Sequence, residues 1–131
     1  MPDRNRLLRT VTMLAFAVPM AALAQTLDKQ TLRELDDDES DILYQGRTVE
    51  QIEDMDVVGS GGERIGEIEE VLANADNEIV AVVVEFDEGF LDLGEREVVM
   101  PVDRLQFGED GSRVATTLSE DDLRSLEVWD D

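Results

Sequence analysis

Between residues 56 and 107 the chain alternates apolar runs with glycine-rich and acidic turns. The clearest run is IVAVVVEF at residues 79–86. Read as a strand, it places Val80, Val82, Val84 and Phe86 on one face and Ile79, Ala81, Val83 and Glu85 on the other. β-Branched residues suit the pleated backbone, and apolarity on both faces predicts a central strand or a barrel wall. Upstream, Ser60-Gly61-Gly62-Glu63 reads as a turn and residues 64–72 as a strand carrying Ile65, Ile68, Val71 and Leu72. The alternation there is imperfect, so Gly66 is expected to mark a bulge or tight bend. A helix over residues 66–75 competes, because EIEEVLANA contains helix formers; Gly62, Gly66 and the turn at residues 75–78 favour the strand. Asp76-Asn77 then joins two strands as an antiparallel hairpin.

Residues 97–103 predict a further strand with Val98, Met100 and Val102 on one face. Pro101 has no N–H to donate and is expected at an edge or where the ladder ends. Leu105 and Phe107 resume the alternation, residues 109–112 turn, and residues 113–117 form a strand. Ser119 then reads as an N-cap before an acidic first turn, with Leu118 as a hydrophobic staple and Leu123 and Leu126 on the buried face. Trp129 is expected to plug the open end of the core. The fold class is therefore mainly β: a small antiparallel curled sheet or barrel with a short C-terminal helix, an open roll of two sheets being the neighbouring possibility.

The beginning of the chain has a different character. Arg4, Arg6 and Arg9 precede the apolar VTMLAFAVPMAALA, and Ala22-Leu23-Ala24 supplies the small residues of a cleavage site. Residues 1–24 thus read as a secretory signal peptide, cut before Gln25, rather than as a membrane anchor. The apolar run is shorter than the ~20 residues a spanning helix needs, and Pro19 interrupts it. The expected location is the periplasm or the exterior. Residues 25–50, with the run DDDE at 36–39, read as an acidic flexible arm, a frayed helix or a partly ordered lead-in. Within them residues 41–49 suit a short extended segment packed on the domain, and residues 49–52 are ambiguous between turn and strand. The β domain spans residues 51–129.

Charge and composition narrow the chemistry. The chain carries 33 acidic and 11 basic residues, a net charge of -22, with no histidine and no cysteine. Such a field repels nucleic acid and anionic headgroups and attracts cations and basic partners; it also keeps a surface hydrated in salt. Disulfides and thiolate or imidazole metal ligands are impossible, as is a Ser–His–Asp triad. Paired carboxylates of the glycosidase kind are so abundant that almost any spacing occurs by chance, which makes a carboxylate-dependent hydrolase a distant reading. Residues 36–41 and 76–78 offer oxygen ligands but lack the spacing of an EF-hand. Weak association with divalent cations such as calcium is expected there at most. No catalytic, cofactor or metal residue is assigned.

Five stretches together carry a resemblance: DVVGSGGERIGEIEEVL at 56–72, IVAVVVE at 79–85, GFLDLGE at 89–95, VVMPVDRL at 98–105 and SEDDLRSL at 119–126. In order and spacing this resembles the PRC-barrel family, the domain of the photosynthetic reaction-centre H subunit and of the ribosome-maturation factor RimM. Gly62, Glu63 and Gly66 match the family's turn into its second strand; Gly89, Phe90, Leu91 and Gly94 match a glycine-rich loop; Pro101, Val102 and Leu105 match a later segment. Glu88 and Asp92 stand where the family has glycines. The resemblance implies a non-catalytic structural and interaction module and transfers no catalytic residue.

The loop at 89–94 is the candidate interaction site, with Phe90, Leu91, Asp92 and Leu93 placed to anchor a protein partner or a second copy. In the alternative reading, Phe90 and Leu93 fold back to cap one end of the barrel and Leu91 stays exposed. Two functions follow: an exported β-barrel module for protein–protein interaction or assembly, or an acidic, cation-responsive envelope protein.

Overall fold

The computed structural model describes residues 27–90, 96–109 and 111–129. Seven strands and two short helices follow one another as β1 (Arg33–Glu34), α1 (Val49–Ile52), β2 (Asp56–Val58), β3 (Arg64–Ala73), β4 (Ile79–Phe86), β5 (Glu97–Pro101), β6 (Leu105–Phe107), β7 (Arg113–Thr116) and α2 (Glu120–Arg124). They build one curled half-barrel sheet in the order β5-β4-β3-β2-β7-β6, with β1 added to β3 beyond the end of β2. Neighbours are antiparallel except β2 and β7, which run parallel. The mixed pairing differs from the all-antiparallel expectation: β2 enters the sheet from the N-terminal side and β7 returns to it only after the whole meander has been laid down.

Residues 66–73 are strand, not helix, and Asn74 and Ala75 lead into the hairpin turn. The strand is irregular first beside Gly66, as the sequence predicts: against β2, Val57 pairs with Gly66 but Val58 with Arg64, which leaves Ile65 as an extra residue. Its register against β4 slips between Ile68 and Glu70, and again between Leu72 and Ala73. These slips make Glu69 and Val80 the extra residues. Ile79 consequently joins Val82, Val84 and Phe86 in the main core while Val80 turns to the reverse face, the opposite of strict alternation. Gly66 also serves close approach. A Cβ there would collide with the carbonyl oxygen of Glu85 and lie 3.1 Å from Phe86 Cα. The β3–β4 hairpin turns at Asn77, whose φ is 62°, and the Asn74 side chain accepts from the backbone N–H groups of Asp76 and Glu78.

The main core fills the inner face of the sheet. Val57, Ile68, Val71, Val82, Val84, Phe86, Val98, Met100 and Val114 point inward, and Val49 and Ile52 of α1 and Leu123 of α2 close over them. The single turn of α1 is held by a capping box: Thr48 accepts from Gln51 N–H and the Gln51 side chain accepts from Thr48 N–H. Ser119 caps α2 as the sequence predicts, accepting from Asp122 N–H. Pro101 closes β5, where a one-turn 3-10 segment, Val102–Arg104, takes over from the expected end of the strand.

A second, smaller core lies on the outer face. Leu72, Ala81, Val83 and Val99 are buried there beneath Leu27, Leu32 and Trp129. The segment expected as a flexible arm thus contributes a pairing strand, and Leu35, just after it, is 2% exposed and donates its N–H to Val71 O at 2.9 Å. Burying such a side chain is worth about 1.5–3 kcal/mol. Trp129 covers this outer cluster rather than the open end of the main core. Its indole Nε1 donates to Glu34 at 2.8 Å, while Lys29 Nζ donates to Val128 O at 2.6 Å, so arm and tail clasp each other. The tail also seals the β5 edge: Val99 N–H donates to Glu127 O and Trp129 N–H to Glu97 O.

Candidate functional site

The sequence-predicted loop is reached from Phe86. Asp87 N–H donates to Ile65 O, Phe90 N–H donates to Asp87 O, and Gly89 takes φ 85° between them. This tight turn folds Phe90 back onto Phe86, ring centroids 5.5 Å apart at 50°. Phe90 therefore packs on the core rather than standing out as an anchor. Leu91, Asp92, Leu93 and Gly94 lie outside the described residues. Gly62 sits at φ 88° in the β2–β3 turn, and Pro101 ends β5.

Three other surface features come from the fold. The first is a row of carboxylates. Asp56, Glu67, Glu85 and Glu97 are direct cross-strand partners on β2, β3, β4 and β5. Their strand neighbours Val57, Ile68, Val84 and Val98 point into the main core, so the acids share the outer face. The bulged Glu69 joins them: one carboxylate oxygen from each of Glu67, Glu69 and Glu85 lies within 4.8 Å of the others. Glu69 is pushed up to about 7, by burial first and then by the charges of Glu85, Glu67 and Glu97. Arg64 borders the row, bonding Asp56 at 2.6 Å and Asp87 at 3.1 Å and lying 4.0 Å from Glu67.

The second feature is an acidic cleft of about 440 Å³ between the arm and β3, lined by Leu35, Asp36, Asp37, Asp38, Glu53 and Glu70. Burial raises Glu53 to about 8, helped by a hydrogen bond with Asp37 and by the charges of Asp37, Glu70 and Asp54. A raised carboxyl in a cleft is half of what a carboxylate hydrolase requires. The described lining adds Leu35 and further acids, so burial first and the crowded carboxylates second account for the shift.

The third feature is an apolar groove of about 180 Å³ beside the clasp, lined by Leu27, Leu32, Val99, Pro101 and Leu126 with Lys29, Ser125 and Glu127. Val128 next to it is 37% exposed, and Leu43 on the arm is 53% exposed.

Sequence reasoning missed the row and the groove, and of the cleft it singled out only the acids at 36–38, because the rest depends on how the strands and the arm pack together. Glu67, Glu85 and Glu97 occupy the polar slots of otherwise apolar strands, which is a visible signal, but only pairing aligns them. Among the described residues no helix is long and apolar enough to cross a membrane, which says nothing of strands.

A curled half-barrel sheet with a capping C-terminal helix, its described surface rich in acids, defines a small β-module. The model of the PRC-barrel domain matches residues 46–124, and the chain belongs to that family. The match begins just before α1 and ends with α2, leaving the arm and the tail outside it. No curated protein matches the chain significantly in sequence.

Proposed function

We propose that this chain is a non-catalytic, exported PRC-barrel module that binds a protein partner. The apolar groove carries the reading: Leu27, Leu32, Val99, Pro101 and Leu126 line an open outer-face depression on a molecule of net charge -22. A partner suited to it presents apolar side chains ringed by lysine or arginine, which the surrounding field attracts. Export to the periplasm or exterior rests on the arginine-led apolar segment and the Ala22-Leu23-Ala24 site, in residues that lie outside the described structure.

Affinity capture from the envelope fraction with the mature chain as bait tests this, comparing Leu32→Glu and Leu91→Asp with the wild type. Loss of a captured protein with Leu32→Glu alone supports the groove. Loss with Leu91→Asp alone moves the interface to the 91–93 segment, and capture unaffected by either change rejects both surfaces.

The Glu67, Glu69 and Glu85 cluster favours a second reading, a weakly cation-responsive surface, in which these oxygens share a divalent ion. Calorimetric titration with calcium and with magnesium at matched ionic strength decides it. Saturable heat that differs between the two ions and disappears in Glu69→Gln supports this reading; identical responses reduce it to screening.

A further inference from the structure

We propose that the N-terminal arm is a proton-linked latch, seated on the sheet while a protonated Glu53 hydrogen-bonds Asp37 across the acidic cleft and loosened when Glu53 ionises.

The leading part of the arm, residues 27–39, is lightly held. Its strand β1 pairs with β3 through only Arg33↔Ala73 and Glu34↔Leu72. Beyond that, Leu35 is the one fully buried side chain of residues 27–39, and Leu27 and Leu32 pack partly on the outer cluster, whereas Ile42 and Tyr44 further along pack on the main core. Segments with so few buried contacts open well before the whole domain unfolds. Small changes in charge therefore weigh heavily on this seam.

The seam is where like charges meet. Asp36, Asp37 and Asp38 come from the arm, Glu53 and Asp54 from the turn after α1, and Glu70 from β3. The arm's own cations are used elsewhere: Arg33 bonds Glu39 at 3.1 Å and Asn77 at 2.7 Å, and Lys29 reaches the tail at Val128 O. With all these acids ionised, the arm and the barrel repel across the cleft. One proton converts Glu53 and Asp37 into a donor and an acceptor.

The sign of the linkage follows. Glu53 is raised to about 8 in the seated state, by burial first and then by its bond with Asp37, whereas a released carboxyl titrates in its ordinary range near 4.5. The seated state then holds more protons than the released one over that window. Arm seating is strongest at the acidic side and weakens as pH rises through the window, levelling off above about 8. The limit for one proton is about tenfold per pH unit; an open, hydrated cleft brings the effect to roughly severalfold.

Trp129 makes the latch observable. It is the sole tryptophan, and its indole bonds Glu34 on β1. The test is a fluorescence titration of the mature chain from about pH 5 to about pH 9.5 at fixed ionic strength, with amide exchange of the arm corrected for intrinsic rates. The wild type is expected to show a shift in Trp129 emission and loss of arm protection toward the alkaline end. Glu53→Gln, which keeps a donor to Asp37, is expected to stay seated throughout. Asp37→Asn supplies the same bond from the other side and should match it, which keeps the test alive if one variant folds poorly. Glu69→Gln should retain the wild-type transition. A flat wild-type titration, a transition that survives both Glu53→Gln and Asp37→Asn, or one that vanishes in Glu69→Gln overturns the latch.

Discussion

Gly66 and Glu69 sit three residues apart on one strand and show two different ways a single position shapes this sheet. At Gly66 the β4 backbone comes so close that any side chain would strike the Glu85 carbonyl. Gly66→Ala is therefore expected to destabilise the domain by about 1–3 kcal/mol in denaturant unfolding, because the obstacle is backbone and cannot rotate away. A cost below about 0.5 kcal/mol would show that the strands can part there. Glu69 acts through charge. Its carboxyl is raised to about 7, chiefly by burial and then by Glu85, Glu67 and Glu97, so the folded state binds a proton more tightly than the unfolded chain. Its contribution is fully present below the ordinary carboxylate range near 4.5 and is lost as pH rises toward about 7. Glu69→Gln should thus raise the melting temperature at pH near 8 while leaving it little changed near pH 5; equal shifts at both would contradict the carboxylate crowding. The sequence marked Gly66 for the bulge it borders but not for the close approach of β4, since a glycine's neighbours across the sheet are invisible in one strand. Glu69 looked like one acid among many, because the bulge that brings it to Glu85 is a property of the pair β3–β4.

At the scale of elements, the long apolar strand β4 and the capped helix α2 were plain in the chain, being carried by local pattern: β-branched alternation in one, Ser119 before an acidic turn in the other. Short elements were hidden. Residues 49–52 read as turn or strand, yet they form α1, and a single turn exists only because Thr48 and Gln51 cap it reciprocally and Val49 and Ile52 are buried. Thr48→Ala should cost about 1 kcal/mol, read as a lowered denaturant midpoint with unchanged slope. No loss would mean that burial alone holds the turn. The arm was obscured in the same way. Its DDDE run advertises solvation, while Leu27, Leu32 and Leu35 find their places only against a β3–β4–β5 surface assembled by later residues. The candidate loop was half legible: its aromatic was visible, and its direction was decided by the Gly89 turn that lays Phe90 on Phe86.

For the whole molecule, the acidic excess is the strongest long-range term. Four strands carry an unbroken acidic row, and Arg64 offsets only its β2–β3 end. Like charges directly opposite one another on paired strands are destabilising, and the cost is screened by salt. Raising sodium chloride from low to physiological strength and beyond is expected to increase the melting temperature by roughly 4–8 °C, the equivalent of about 1 kcal/mol. A melting temperature indifferent to salt would show that the row is already neutralised. The parallel seam between β2 and β7 sets a different property, the order in which the fold can be made. Asp56 pairs with Arg113, so the edge of β2 finds its neighbour only when the chain has been delivered almost to its end. The β3–β4 hairpin can form early from local contacts, but shutting the half-barrel needs a loop closure across most of the domain. High contact order of this kind slows folding. A chain emerging piecemeal would keep the β2 edge open until β7 arrived to close it.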